Sequence, residues 1–203
     1  MLGDLITDDE VTITLLIAIS HARALLTTSD DGTARLHNVV TGAVMMSLAG
    51  HAAPVIKAAA TPDGDLIVTG DAQGTLIVWD GGSGERRQCV RFSEDPVCIN
   101  DVAMSPCGTV FAAASMAEDG VTLWSTDEAV MLSHWHHVGA RSVAFSPTGR
   151  VAMSISFDGT QMMWNVAAGV CLRVLRRSEL LLDVAFAATG DAMGSRCSGS
   201  RHE

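Results

Sequence analysis

The chain alternates short apolar runs with clusters of glycine, proline and aspartate. Residues 55–92 show the pattern in full: VIKAAA, a TPDG turn, LIVTG, a DAQG turn, TLIVW, a glycine-rich turn and RRQCVRF. Runs this short, bounded by turn residues, read as strands of an antiparallel meander. No stretch carries a helical apolar period with caps at its ends. In-out alternation is weak within the middle runs, as expected for strands buried on both faces. The longest apolar run, VTITLLIAI at 11–19, is rich in β-branched residues and favours a buried strand.

One phrase is written more than once. SDDGTARLHN at 29–38 and SFDGTQMMWN at 156–165 agree at Ser, Asp, Gly, Thr and Asn. Aligning the runs TARLHN, TLIVWD, VTLWST and TQMMWN superposes His37, Trp79, Trp124 and Trp164, with spacings of 42, 45 and 40 residues. A fixed period of this size marks a repeat architecture. A second landmark lies upstream of each: SHAR at 20, TPDG at 61, SPCG at 105 and SPTG at 146. LLDVAFAATGD at 181–191 opens a fifth unit that stops before its third strand. The expected units are 11–48, 49–91, 95–133, 136–175 and 181–195, with an irregular tail over 196–203.

Composition narrows the function classes. Hydrophobic residues make up 48% and charged residues 18% of the 203, which is globular and allows one good-sized domain. Thirteen basic against 23 acidic residues give a net charge of -10. That disfavours direct contact with nucleic acid or an anionic membrane, where Lys and Arg must meet phosphate. The nine residues of the longest apolar run fall far short of a membrane span. Asp8, Asp9 and Glu10 in front of it carry the wrong charge for a secretory leader. Five cysteines (Cys89, Cys98, Cys107, Cys171 and Cys197) form no CxxC pair. They are expected to be buried, reduced thiols of an intracellular protein, cytoplasmic or nuclear.

LAGH…TPDGDLIVTGDAQGTLIVWD and HHVGARSVAFSPTGRVAMSISFDGTQMMWN carry a family resemblance. These units resemble WD repeats, and residues 11 to 195 resemble a WD-repeat β-propeller. The resemblance implies an all-β fold of four-stranded antiparallel blades set radially, here four full repeats and a partial fifth. With about 42 residues per unit, 203 residues hold fewer units than the seven common in the family. An incomplete or truncated ring is therefore expected: a fragment, an unusual gene product, or an arc completed by a partner chain or self-associating. In the family, a His, a Ser or Thr, an Asp and the Trp of one blade form a hydrogen-bonded tetrad. By position the fourth unit holds all four, as His136, Ser154, Asp158 and Trp164. The second has His51, Thr69 and Trp79, with Gln73 at the Asp position. The third has Ser115, Asp119 and Trp124, and the first has Thr27 and Asp31 with His37 for Trp. The residue before the blade Asp is implied to face the top surface: Asp30, Ala72, Glu118 and Phe157, with Arg141 beside Phe157.

Catalytic patterns are weak. No GxSxG elbow presents a serine. GGSGERR at 81–87 lacks the GK[ST] ending and the helix of a phosphate loop, and reads as a turn between strands. HWHH at 134–137 offers three histidines, yet neighbouring strand residues face opposite ways and no second ligand cluster has metal spacing. RRQCVR and RVLRR fall where outer strands run, and charge there protects a sheet edge. The expectation is a non-catalytic scaffold binding other proteins, without cofactor or metal. The alternative is a protein-held subunit of a ribonucleoprotein or nucleic-acid-associated assembly, in RNA processing or ribosome biogenesis.

Overall fold

The computed structural model describes residues 12–19, 24–118, 120–177, 181–187 and 193–197. All regular structure among them is β. Four sheets each contain four consecutive antiparallel strands in chain order. Blade 1 comprises β1 (Ile13–Ile19), β2 (Ala24–Ser29), β3 (Thr33–Asn38) and β4 (Val44–Ala49). Blade 2 comprises β5 (Val55–Ala60), β6 (Leu66–Asp71), β7 (Thr75–Asp80) and β8 (Arg86–Arg91). Blade 3 comprises β9 (Ile99–Met104), β10 (Val110–Ser115), β11 (Val121–Ser125) and β12 (Met131–Trp135). Blade 4 comprises β13 (Ala140–Phe145), β14 (Val151–Ser156), β15 (Thr160–Asn165) and β16 (Val170–Arg176). A fifth sheet pairs β17 (Leu181–Phe186) with β18 (Met193–Cys197). β18 therefore takes in residues 196 and 197, the first two of the expected irregular tail.

The punctuation residues set the hairpins. In the SPCG turn, Gly108 N–H donates to Ser105 C=O at 2.9 Å, and Gly108 has φ +73, a left-handed conformation that a side chain disfavours. The glycine-rich segment after β7 is a turn, as the sequence predicts. Asp80 Oδ1 accepts the Gly82 and Ser83 N–H groups there.

The blades stack face to face, and the core lies between them. Leu26, Leu36 and Leu48 of blade 1 meet Ile67, Ile77 and Trp79 of blade 2. Val68 and Val78, on the other face of blade 2, meet Phe111 and Trp124 of blade 3. Leu123 and Trp135 of blade 3 meet Val143 and Trp164 of blade 4, and Met153 and Ile155 meet Val184 of the fifth sheet. Middle strands thus bury both faces, which explains their continuous apolar character. β1, β5, β9, β13 and β17 pack against one another in order and form the inner wall of a partial ring. The arginine-bearing runs form the outer strands β8 and β16. The cysteines depart from expectation, because Cys89, Cys98, Cys107 and Cys171 are free and exposed. Cys89 and Cys171 sit at exposed positions of the outer strands β8 and β16.

Candidate functional site

The side chain at each Trp position makes a buried polar contact within its blade, extended to a longer thread in blades 2 and 4. In blade 4, Trp164 Nε1–H donates to Ser154 Oγ at 2.9 Å. Ser154 Oγ lies 2.6 Å from His137 Nδ1, and His137 Nε2 lies 2.7 Å from Thr160 Oγ1. Thr160 Oγ1–H donates to Asp158 Oδ1 at 2.6 Å. A hydroxyl has one hydrogen, so these contacts have one consistent direction. Thr160 gives its hydrogen to Asp158, so His137 Nε2–H donates to Thr160. His137 Nδ1 then accepts from Ser154, which in turn accepts from Trp164. The relay requires neutral His137, protonated on Nε2. Burial pushes His137 down to about 4, with Asp158 opposing and His136 adding to the shift. Burial raises the Asp158 carboxyl, but hydrogen bonds from Thr160 and Ser156 outweigh it and hold it low, helped by His137 once acid protonates it.

The histidine of this relay is His137, a correction to His136. Trp135 is fully buried and stacks on Trp164, with ring centroids 5.2 Å apart and planes 5° from parallel. Residues two apart on an extended chain share a face, so His137 follows Trp135 inward while His134 and His136 face solvent. His134 and His136 pack edge to face. Asp158 reaches the histidine only through Thr160, which the sequence reading missed.

Blade 2 also departs from expectation, because it does have a carboxylate. His51 Nδ1 lies 2.9 Å from Asp71 Oδ2, and His51 Nε2 lies 2.6 Å from Thr69 Oγ1. Trp79 Nε1–H donates to Thr69 at 2.8 Å. Gln73 is exposed and takes no part. Asp71, at the end of β6, stands level with Ser29, Ser115 and Ser156 of the other blades. Burial lowers the pKa of His51 against the pull of Asp71, so the neutral ring donates from Nδ1. Blades 2 and 4 therefore hold opposite tautomers.

Blade 3 corrects Ser115. Trp124 pairs with Phe111, thirteen residues back, whereas Trp79 and Trp164 pair with residues twelve back. That extra hairpin residue places Ala113, not Ser115, level with Thr69 and Ser154. Trp124 Nε1–H turns to Thr122 Oγ1 at 2.8 Å on its own strand, and Ser115 accepts the Ala117 N–H. Asp119 lies outside the described residues. In blade 1, His37 Nε2 meets Thr27 Oγ1 at 3.0 Å, so the imidazole takes the Trp position. Asp31 does not reach it and instead binds Thr33 and the Arg35 guanidinium in its own turn. Thr69 and Ser154 have no solvent-exposed surface, so these hydroxyls cannot reach a substrate and serve to fix the blades.

The accessible chemistry lies on the inner wall. A cavity of about 490 Å³ is lined by Lys57, Asp101, Arg141, Ser142, Phe157 and Asp183, among others. Phe157 stands on the β14–β15 turn and is 42% exposed. The Arg141 guanidinium carbon lies 4.8 Å from its ring centroid. Asp30 and Glu118 are exposed on the matching turns of blades 1 and 3, and Ala72 is half-buried on that of blade 2. A second cavity, about 720 Å³, lies between blades 3 and 4 and includes Cys107, Thr109 and Arg150. Hydrogen bonds from Thr109 lower the exposed Cys107 thiol to about 7. No cluster of three or more metal-ligating side chains occurs among the described residues. No helix among them is long and apolar enough to cross a membrane.

Residues 42–80, from the last turn of blade 1 through Trp79, match the WD domain, G-beta repeat, family. The chain is a WD-repeat protein. This WD-repeat chain is 27% identical over 180 residues to the nuclear distribution protein PAC1-2 of Uncinocarpus reesii (strain UAMH 1704), covering 78% of the chain and 39% of that protein. It is 24% identical over 174 residues to autophagy-related protein 16 of Arabidopsis thaliana, covering 82% and 33% respectively. With the ribosome biogenesis protein YTM1 of Coprinopsis cinerea (strain Okayama-7) the identity is 28% over 163 residues, covering 76% and 35%. The WD-repeat chain spans about a third of the length of these curated relatives.

Proposed function

We propose that this chain is a non-catalytic scaffold of an intracellular multiprotein complex, and that it binds another protein at the rim of the inner cavity through Phe157 and Arg141. The exposed Phe157 ring under Arg141 carries this reading. A large aromatic on a short hairpin turn loses little freedom on binding, and aromatic and arginine side chains dominate interface energetics. The net charge of -10 supports a protein partner over a phosphate backbone. Phe157→Ala should leave the thermal melt unchanged and weaken capture of the main partner by about tenfold, or about 1.4 kcal/mol. Unchanged capture places the binding face elsewhere. A ribonucleoprotein role is favoured by the name of the Coprinopsis relative. Under that role, recovery of partners would be lost on RNase treatment, whereas the protein-scaffold reading requires it to persist. Among the described residues β18 pairs on one edge only, and an open edge recruits strands. Pairing with a partner strand or a second copy is part of this proposal, and a strictly monomeric, sealed chain in light scattering would refute it.

A further inference from the structure

Successive inner strands place polar residues at one level. Lys57, Asp101, Ser142 and Asp183 each precede the residue paired with the middle of the second strand: Ala58 with Thr69, Val102 with Ala113, Val143 with Ser154, and Val184 with Ser195. At the centre of this row, Ser142 Oγ lies 2.7 Å from Asp101 Oδ2 and 2.9 Å from Asp183 Oδ1. The serine hydroxyl has one hydrogen and can donate it to only one of these oxygens. The other contact would set an oxygen lone pair against a carboxylate, beside a second negative charge. Backbone donors do not remove the conflict. Val143 N–H already points at Asp101 Oδ2 and Val184 N–H at Asp183 Oδ1. One additional proton resolves it. Held on Asp101 Oδ2 it donates to Ser142, and Ser142 donates onward to Asp183, so both short contacts carry a hydrogen.

We propose that Asp101, Ser142 and Asp183 form a proton-loaded clip joining blades 3 and 4 to the fifth sheet, so that attachment of β17 depends on pH. The surrounding charges divide, Asp183 favouring a retained proton on Asp101 and Lys57 opposing it. Lys57 faces Asp101 from β5, and Arg141 lines the same cavity from β13 but is drawn to Phe157. Asn100, on the strand of Asp101, is turned to the Ala140 carbonyl, and β10 offers only Ala114 opposite. Burial raises Asp101 to about 6, and Asp183 adds to the rise; the Ser142 and Val143 hydrogen bonds and Lys57 oppose it. The folded carboxyl therefore holds its proton more tightly than an ordinary aspartate. The stability it contributes is complete below the ordinary value of 3.8 and is lost as pH rises through about 6.

The test compares unfolding equilibria of the full chain with those of Asp101→Asn, whose amide holds its hydrogens at every pH. Setting Nδ2 against one backbone N–H adds a cost that is independent of pH. Taking the ratio removes the titration of distant groups such as His137. The advantage of the wild type over the variant should fall about tenfold from pH 5 to pH 8. Asp183→Asn, at the exposed end of the clip, should flatten the same difference, and it keeps the test open if Asp101→Asn fails to fold. Amide protection of β17, corrected for intrinsic exchange, should fall with rising pH in the wild type and hold level in Asp183→Asn. Ratios constant within twofold for both variants, or β17 protection that does not respond to pH, would overturn the proposal.

Discussion

Ser154→Ala tests whether the blade 4 relay works as one directional unit. Ser154 is fully buried, accepts the Trp164 N–H and donates to His137 Nδ1. Alanine leaves both groups without partners in the interior. Each buried orphan costs about 1–3 kcal/mol, so the variant should lose roughly 2–4 kcal/mol. Ser154→Thr should stay near wild type, because Thr69 performs the same service in blade 2. Trp164→Phe removes the indole donor, so adding it to Ser154→Ala spares one orphan. The two changes should couple by about 1 kcal/mol in a double-mutant cycle. Trp164→Ala, which also empties the stack on Trp135, should lose roughly 3–5 kcal/mol. Urea unfolding followed by far-ultraviolet circular dichroism measures all of these without relying on the altered fluorophore. Loss below about 0.5 kcal/mol in Ser154→Ala, or strict additivity with Trp164→Phe, would refute the relay.

The relay should also make the chain sensitive to acid. His137 is held neutral, at about 4 against an ordinary 6.5, so its stability is present above pH 6.5 and lost as pH falls towards 4, by roughly 3 kcal/mol. The lowered Asp158 acts in the same sense. Melting temperatures of wild type and His137→Gln across this range should converge in acid; parallel curves would count against it. Cys107, lowered to about 7, should react with iodoacetamide at neutral pH faster than Cys98, which burial raises. Thr109→Val should slow Cys107 labelling, as peptide mapping would show, and equal rates would remove the assigned cause.

The architecture was legible in the sequence because it rests on period and punctuation. Trp79, Trp124 and Trp164 and the proline-glycine turns mark the hairpins without reference to any contact. The polar threads were less legible because they depend on phase. HWHH contains two adjacent candidates, and only the burial of Trp135 selects His137, a signal that strict alternation from the tryptophan would have supplied. Ser115 sits next to the needed level, and one added hairpin residue moves it out of reach of Trp124. Asp71 does in blade 2 what was expected two residues later, because a side chain at the strand end approaches His51 as well as one in the turn. The Asp101–Ser142–Asp183 row joins three repeats and leaves no mark on any one of them.

The third-strand tryptophans each face the preceding blade, whereas Trp135 of the outer strand β12 faces the following one. Trp79 is covered by blade 1, Trp124 by blade 2 and Trp164 by blade 3. The stack consequently has a direction in which it unravels. Peeling away an N-terminal blade exposes the indole and hydrogen-bonded thread of the next one to water. Peeling from the C-terminal side uncovers Trp135 when blade 4 leaves but keeps the remaining threads sealed. In a single-molecule pulling experiment, force applied at the N-terminal end should release blades in quick succession, whereas force at the C-terminal end should meet separate, pausing steps.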